Sequence, residues 1–211
     1  MIKISEYTVR RLSTYRRILE ELLADRIDVV SSAQLAELSG TNPAQVRKDL
    51  SYFGNFGKRG SGYRVEVLCQ RIRSILGIEG TWRVVLVGAG NLGTALFSYK
   101  DFSRHGFQIV AILDSDPEKT GQTWDGVEVS PVKDAERVVR KTKAEVAIVS
   151  TPAVSAQSVV DRLVAAGIRG VLNFAPCKLE VPAQVELRNV NITIELEGLS
   201  FAMRSADEAA K

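Results

Sequence analysis

Val84-Val85-Leu86-Val87-Gly88-Ala89-Gly90-Asn91-Leu92-Gly93 is an apolar run that passes straight into a Gly-x-Gly-x-x-Gly turn. A second apolar run, Ile109 to Leu113, ends on Asp114, 21 residues after Gly93. Strand, glycine turn, helix and a distant acid follow one another as a dinucleotide-binding βαβ unit requires. Gly88 permits the tight turn, Gly90 lets the backbone approach a pyrophosphate, and Gly93 brings helix and strand close. Ala89, Asn91 and Leu92 complete the loop, and the helix that starts near Asn91 offers free N–H groups to phosphates. Asp114 stands where a carboxylate accepts bonds from ribose hydroxyls. A 2′-phosphate there would meet Asp114 and Asp116, with no Lys or Arg before Lys119, so NADH and NAD+ are favoured over their phosphorylated forms.

Working outward toward the C-terminus, strands are expected at 83–88, 107–113, 145–150 and 170–174, with a short piece at 127–129. Helices fit at 91–100, 131–142 and 153–166. Such alternation gives parallel βαβ units and a doubly wound Rossmann sheet. Residues 190–195 read as a further strand. Residues 198–210 read as a final helix with Leu199, Phe201, Ala202 and Met203 clustered, and with no obvious partner in its own domain.

Working toward the N-terminus, residues 5–24 carry Val9, Leu12, Ile18, Leu19, Leu22 and Leu23 at a helical period, with Arg10, Arg11, Arg16 and Arg17 around them. A short helix should start after Ser31-Ser32, with Leu35 and Leu38 inward and Gly40 as its stop. A third can be capped by Thr41 or Asn42, opens on Pro43 and ends at Gly54. Its Val46, Leu50 and Phe53 share a buried face, which leaves Gln45, Arg47, Lys48, Ser51 and Tyr52 outward. Two β-prone pieces then flank a glycine-rich tip bearing Lys58 and Arg59, the pattern of a wing. Residues 67–76 form another amphipathic helix, and 77–81 a linker. Arg47 and Lys48 suit base edges and phosphates in a major groove, Ser51 and Tyr52 phosphates, and Lys58 and Arg59 a minor groove.

Charge divides the chain in the same place. Residues 1–80 hold 13 Lys/Arg against 9 Asp/Glu, and the remainder 15 against 16, so the basic excess sits with the nucleic-acid-like module. No apolar run approaches the roughly 20 residues needed to span a bilayer. The first residues lack the basic-then-apolar layout of a signal peptide. Cys69 and Cys177 stand far apart with no Cys-x-x-Cys, which points away from a disulfide framework or a metal site and toward a reducing cytoplasm. An enzyme would need an acid-base group beside the nicotinamide. The one histidine, His105, falls in a loop, and the two cysteines read as core or spare thiols. Sensing without turnover is the better reading; an NAD-dependent oxidoreductase with a DNA-binding appendage and a coenzyme A-responsive regulator are the alternatives.

Val46-Arg47-Lys48-Asp49-Leu50-Ser51-Tyr52-Phe53-Gly54, then Gly57 to Tyr63, Gly88 to Gly93, Asp114 to Pro117, Asn173 to Pro176 and Leu199-Ser200-Phe201 closely resemble the Rex family of redox-sensing transcriptional repressors. The likeness spans nearly the whole chain. It implies a homodimer that binds double-stranded palindromic operator DNA, bare or with NAD+, and releases it when NADH binds. It also implies a C-terminal helix exchanged between subunits. Three domains are therefore expected: a winged helix-turn-helix over 1–80, a Rossmann domain over 81–197 and a swapped helix over 198–211. By the same resemblance Arg17, Tyr99 and Asn191 occupy the switch positions. The family has an acidic residue where this chain has Asn191, which would weaken or re-poise the response to NADH.

Overall fold

The computed structural model describes residues 4–54, 56 and 61–209. The chain divides into two compact units, Met1–Gly80 and Thr81–Lys211.

In the first unit α1 (Glu6–Ala24) begins at Ser5, whose hydroxyl accepts the Thr8 amide. Leu12, Tyr15, Ile18 and Leu19 of α1 are buried, and they meet Leu68, Cys69 and Ile72 of α4 (Val65–Ile75) in one apolar core. Val9 and Leu23, at the ends of the expected apolar stripe, are exposed, whereas Arg16 is buried. Its guanidinium holds both oxygens of Glu20 at 2.6 and 2.7 Å. An ion taken from water needs such a partner. Arg73 of α4 reaches the same carboxylate at 3.4 Å and so ties the two helices together.

The middle of this unit is α2 (Ser32–Leu38), a turn, and α3 (Pro43–Ser51). Ser31 and Gln34 form a reciprocal capping box on α2, and Asn42 rather than Thr41 caps α3 by accepting the Gln45 amide at 2.9 Å. Leu35 packs inward as expected, but Leu38 lies exposed on the last turn of α2. The strand β2 (Tyr63–Arg64) pairs antiparallel with β1 (Val29–Val30), which precedes α2. Lys58 and Arg59 lie outside the described residues.

The second unit is built on β3 (Trp82–Val87), β4 (Phe107–Asp114), β5 (Thr123–Trp124), β6 (Val127–Pro131), β7 (Val146–Val149), β8 (Gly170–Asn173) and β9 (Glu186–Asn189). Their spatial order is β5-β6-β4-β3-β7-β8-β9, and all neighbours run parallel except the β5–β6 edge pair. One face buries Val85, Val87, Leu113 and Val149 under α7 (Ala135–Thr142) and α8 (Ala153–Ala165). The other buries Val84, Leu86, Ile112 and Ile148 against Leu96, Phe97 and Phe102 of α5 (Asn91–Phe97) and α6 (Asp101–Arg104). Alternate residues of each strand thus serve opposite layers, and the sheet is the doubly wound Rossmann type.

In the first unit α3 ends at Ser51, three residues before the expected Gly54; in the second, three expected elements differ. The helix read over 91–100 stops at Phe97, and α6 starts separately at Asp101. The helix read over 131–142 is a 3-10 turn, Val132–Asp134, that runs into α7. The strand read over 190–195 is instead the start of the last helix, α9 (Ile192–Ala209), while the strand there is β9. Alternating Ile192-Thr193-Ile194 has a strand-like pattern. Asn191 decides against it by accepting the Thr193 amide at 3.0 Å, as an N-cap does.

Candidate functional site

The chain carries two candidate surfaces, one in each unit. In the second, β3 has neighbours on both sides whose connections leave in opposite directions, and a crevice opens there at the carboxyl ends of the strands. It encloses about 690 Å³ and is lined by Gly88, Gly90, Leu92, Asp114, Thr151 and Phe174 among others. That volume lies in the range of small-molecule sites, about 300–1,000 Å³.

Geometry gives each motif glycine a separate reason. Gly88 has φ +100°, and a Cβ there would fall 2.7 Å from the Ser150 carbonyl oxygen. A Cβ on Gly93 would overlap the Gly88 carbonyl oxygen outright. A Cβ on Gly90 would meet no protein atom within 4 Å, so what that glycine keeps open is the crevice. The first amides of α5 follow directly, and as first-turn groups they have no carbonyl within the helix to bond.

Asp114 ends β4 only 8 % exposed. Its Oδ2 accepts the Ala89 amide at 2.5 Å and its Oδ1 the Asp116 amide at 2.8 Å. The carboxylate therefore braces the glycine turn from below, with lone pairs left on both oxygens for a ligand. Asp116 is further out and pairs with Lys119 at 3.4 Å. On the opposite wall Thr151 Oγ1 is buried with no hydrogen-bond partner among the described residues. A buried hydroxyl left alone costs about 1–3 kcal/mol, and a polar ligand in the crevice would relieve it. A carboxylate with lone pairs to spare, an open glycine and an unspent hydroxyl together fit a dinucleotide.

Asn173, at the end of β8, is an organiser whose part the sequence did not disclose. Its side-chain amide donates to Ala175 O, Cys177 O and Asn189 Oδ1, and its Oδ1 accepts the Ala175 amide. This folds the Asn173 to Pro176 segment so that Phe174 and Pro176 line the crevice. The switch candidates make local contacts. The exposed Tyr99 donates to Asp101 Oδ2 at 3.4 Å and stacks edge-on with Phe102, Asn191 caps α9, and Arg17 is exposed on α1. His105 belongs to the end of α6, its Nδ1 2.7 Å from the Asp101 carbonyl oxygen.

In the first unit α3 presents Arg47, Lys48, Ser51 and Tyr52 on its exposed side. Arg47 donates to Ser32 at 3.0 Å and Ser51 to the Lys48 carbonyl at 2.7 Å. Gln45 is turned inward, donating at 2.8 Å to Asp49. Asp49 is the residue that sequence reasoning misses. It is 0 % exposed, held by Arg11 in a two-pronged pair at 2.6 and 2.7 Å and by the Tyr15 hydroxyl at 3.0 Å. Burial alone would raise the Asp49 carboxyl. Hydrogen bonds from Arg11, Gln45 and Tyr15 outweigh it and hold the group below the usual carboxylate value. Burial, with Asp49 beside it, pushes the Tyr15 phenol well above the ordinary tyrosine value. A neutral phenol, a carboxylate and a guanidinium thus fasten α3 to α1. Cys69 is buried in the same unit, and burial raises its thiol, which is not the environment of a nucleophile.

Comparison with known proteins finds relatives of each unit and of the whole chain. Residues 3–51 match the family described as putative DNA-binding protein N-terminus, and residues 79–177 the family described as CoA binding domain. The redox-sensing transcriptional repressor Rex of Desulfitobacterium hafniense is 50% identical over 200 residues, 95% of each chain. That of Streptomyces coelicolor is 44% identical over 98% of this chain and 81% of its own. Among solved structures, the repressor RSP in complex with NAD+ and operator DNA superposes with a TM-score of 0.92 at 37% identity, covering 100% of this chain and 97% of that one. RSP in complex with NADH gives 0.89 at 36%, covering 100% and 99%. On identity that runs the length of both units, the chain belongs to the Rex family of redox-sensing transcriptional repressors.

Proposed function

We propose that this chain is a redox-sensing repressor that holds palindromic operator DNA as a homodimer and releases it when NADH fills the crevice. The observation that carries the reading is the crevice itself: Gly88, Gly90 and Asp114 line it, with Gly93 packed under the turn, in a chain whose other unit presents a capped, buried-anchored α3 bearing Arg47 and Lys48. RSP, solved with NAD+ on operator DNA and separately with NADH, lends the same assignment from a relative. The coenzyme A name of the family matched over 79–177 describes the fold of that unit. Asp114 favours an unphosphorylated ribose diol in its place.

Gly88 to Gly93 would hold the pyrophosphate and Asp114 the adenosine ribose. Reduction of the nicotinamide removes its positive charge, and that is the difference the protein has to read. Tyr99, Asn191 and Arg17 are the residues we assign to reading it. A ligand moves such an equilibrium only by its differential affinity for the two states, and the coupling is reciprocal: operator DNA must weaken NADH by the factor by which NADH weakens DNA.

The homodimer follows from α9. Ile192, Leu196, Leu199 and Met203 recur at helical spacing on one side, Ile194 and Phe201 lie on another, and all are exposed. A helix apolar on two sides needs cover on both, and exchange with a second copy supplies it. Lys58 and Arg59 are assigned to a minor groove. No helix among the described residues is long and apolar enough to cross a membrane. We assign the repressor to a reducing cytoplasm, which suits two cysteines that are free thiols.

Titration of a labelled palindromic operator complex at fixed salt with NADH, NAD+, NADPH and an acyl-coenzyme A tests the reading. Release by NADH at concentrations where NAD+ leaves the complex intact is expected. Release by the thioester alone would overturn it in favour of a coenzyme A regulator, and consumption of NADH with turnover in favour of an oxidoreductase.

A further inference from the structure

Ser155, Ser158, Val159 and Arg162 recur at spacings three, four and seven along α8, so they form one continuous wall. All four line the crevice together with Asp114, Val132 and Lys133. Lys133, in the 3-10 turn after β6, also lines the smaller recess beyond Asp114, with Pro117 and Thr120. Two cations on different elements, Lys133 and Arg162, therefore line the same crevice.

Nearby acids are engaged elsewhere. Asp134 pairs with Arg137 at 2.9 Å, Glu136 with Arg140 at 2.6 Å, and Asp116 with Lys119 at 3.4 Å. Asp161 accepts from Gln157 at 2.8 Å. The side chains of Lys133 and Arg162 have no hydrogen-bond or ion-pair partner among the described residues. With an adenosine ribose on Asp114, as proposed above, the base beyond it would have Val132 and Val159 as apolar surfaces in a crevice that Lys133 and Arg162 also line. A guanidinium is suited to lie over an aromatic base.

We propose that Lys133 and Arg162 form an adenine clamp that sets how much nucleotide the protein requires in either redox form, without setting its preference between them. The inference rests on the NAD(H) reading above. Adenine is chemically identical in NADH and NAD+. A contact made only to adenine multiplies both affinities by one factor and cancels from their ratio. The nicotinamide end controls discrimination; this end controls the concentration at which the site fills.

The test is calorimetric titration of the full chain and of Arg162→Ala, Lys133→Ala and Arg162→Lys with NADH, NAD+, ADP-ribose and NADPH. Both positions are exposed, and a thermal melt of each variant checks that the fold is kept. For Arg162→Ala, NADH, NAD+ and ADP-ribose should each weaken by about two- to fivefold and by the same factor. The double alanine variant should lose more, and Arg162→Lys should recover only part. Unchanged affinities would overturn the proposal, as would a loss confined to one redox form. A loss confined to NADPH would make this end a phosphate subsite and overturn it too. Failure of the unaltered chain to bind NADH, NAD+ or ADP-ribose would instead remove the reading on which the proposal stands.

Discussion

Asp49 and Asp114 are both aspartates taken out of water, one in each unit, yet their lone pairs are used differently. Asp49 is enclosed by side chains from three residues, Arg11, Tyr15 and Gln45. Asp114 takes two backbone amides and keeps a face to the crevice. A carboxylate whose acceptor sites are filled by its own chain is an anchor, whereas one that borrows only backbone donors remains able to bind. The contrast separates what holds α3 in place from what is left open to the nucleotide proposed for the crevice.

The largest effect that follows is from Asp49→Ala. It leaves the Arg11 guanidinium without its partner and the buried Tyr15 hydroxyl without an acceptor. Breaking a buried pair in this way costs about 3–5 kcal/mol, a large fraction of a small unit's stability. Operator binding should be lost and the first melting transition lowered, while NADH still binds the second unit. Loss of NADH binding as well would show that the two aspartates do not divide their work as argued.

Gly93→Ala should come next and in the opposite sense. Its Cβ would overlap the Gly88 carbonyl oxygen, so the turn has to open and the amides that face the crevice move. A misplaced donor costs about 1–3 kcal/mol, or roughly 5- to 140-fold in NADH affinity by titration. Operator binding by the bare protein should persist, giving a repressor that no longer lets go. Release by NADH at unaltered concentration would break the assignment of the glycine turn.

Proton titration sharpens the same comparison on the side of Asp49. Its folded carboxyl lies below the ordinary value of 3.8, so the stability it supplies is present above that value and is lost as pH falls through the lower, folded one. The Tyr15 phenol is raised above 10.0. Its contribution is complete below pH 10.0 and declines as pH rises beyond it toward the folded value. Melting of the first unit should therefore weaken at both extremes. Tyr15→Phe should shrink the alkaline limb to what the Cys69 thiol and the Tyr63 phenol, both also raised by burial, contribute, and should keep most of the acid one. An alkaline limb unchanged by the substitution would place its source elsewhere.

Sequence legibility follows the range of the interactions. Gly88 to Gly93, the Asn42 cap and the apolar strands are local signals, and each can be read from a few neighbouring residues. Asp49 cannot, because its partners Arg11 and Tyr15 lie 38 and 34 residues away, and an acid between Lys48 and Leu50 reads as one more exposed charge. The outward expectation for Gln45 fails for the same reason, since it turns in to meet Asp49. Asn173 marks the end of β8, but that it folds Phe174 and Pro176 into the crevice depends on Asn189 of β9, a strand with too few apolar residues to stand out. The start of α9 is hidden by β-branched residues whose pattern fits either element, and one side-chain cap decides it.

That cap gives the smallest prediction its content. Asn191 stands where the family resemblance implies an acid, so Asn191→Asp asks what a third carboxylate would do. As an N-cap the two residues are nearly equivalent, and an acid adds only about 0.3–1 kcal/mol from its position at a helix N-terminus. The melting temperature should therefore hardly move, and a change in ligand response cannot be laid to a loosened α9. The family resemblance implies that an acid at this position pairs with Arg17 of the other subunit, which a carboxamide cannot do as an ion pair, so discrimination between NADH and NAD+ in operator release should sharpen by several-fold, about 1 kcal/mol for an exposed pair. Superimposable release curves for the unaltered chain and Asn191→Asp would mean that the position acts only as a cap. The preference between redox forms would then have to reside in Tyr99 and the Asn173-organised wall.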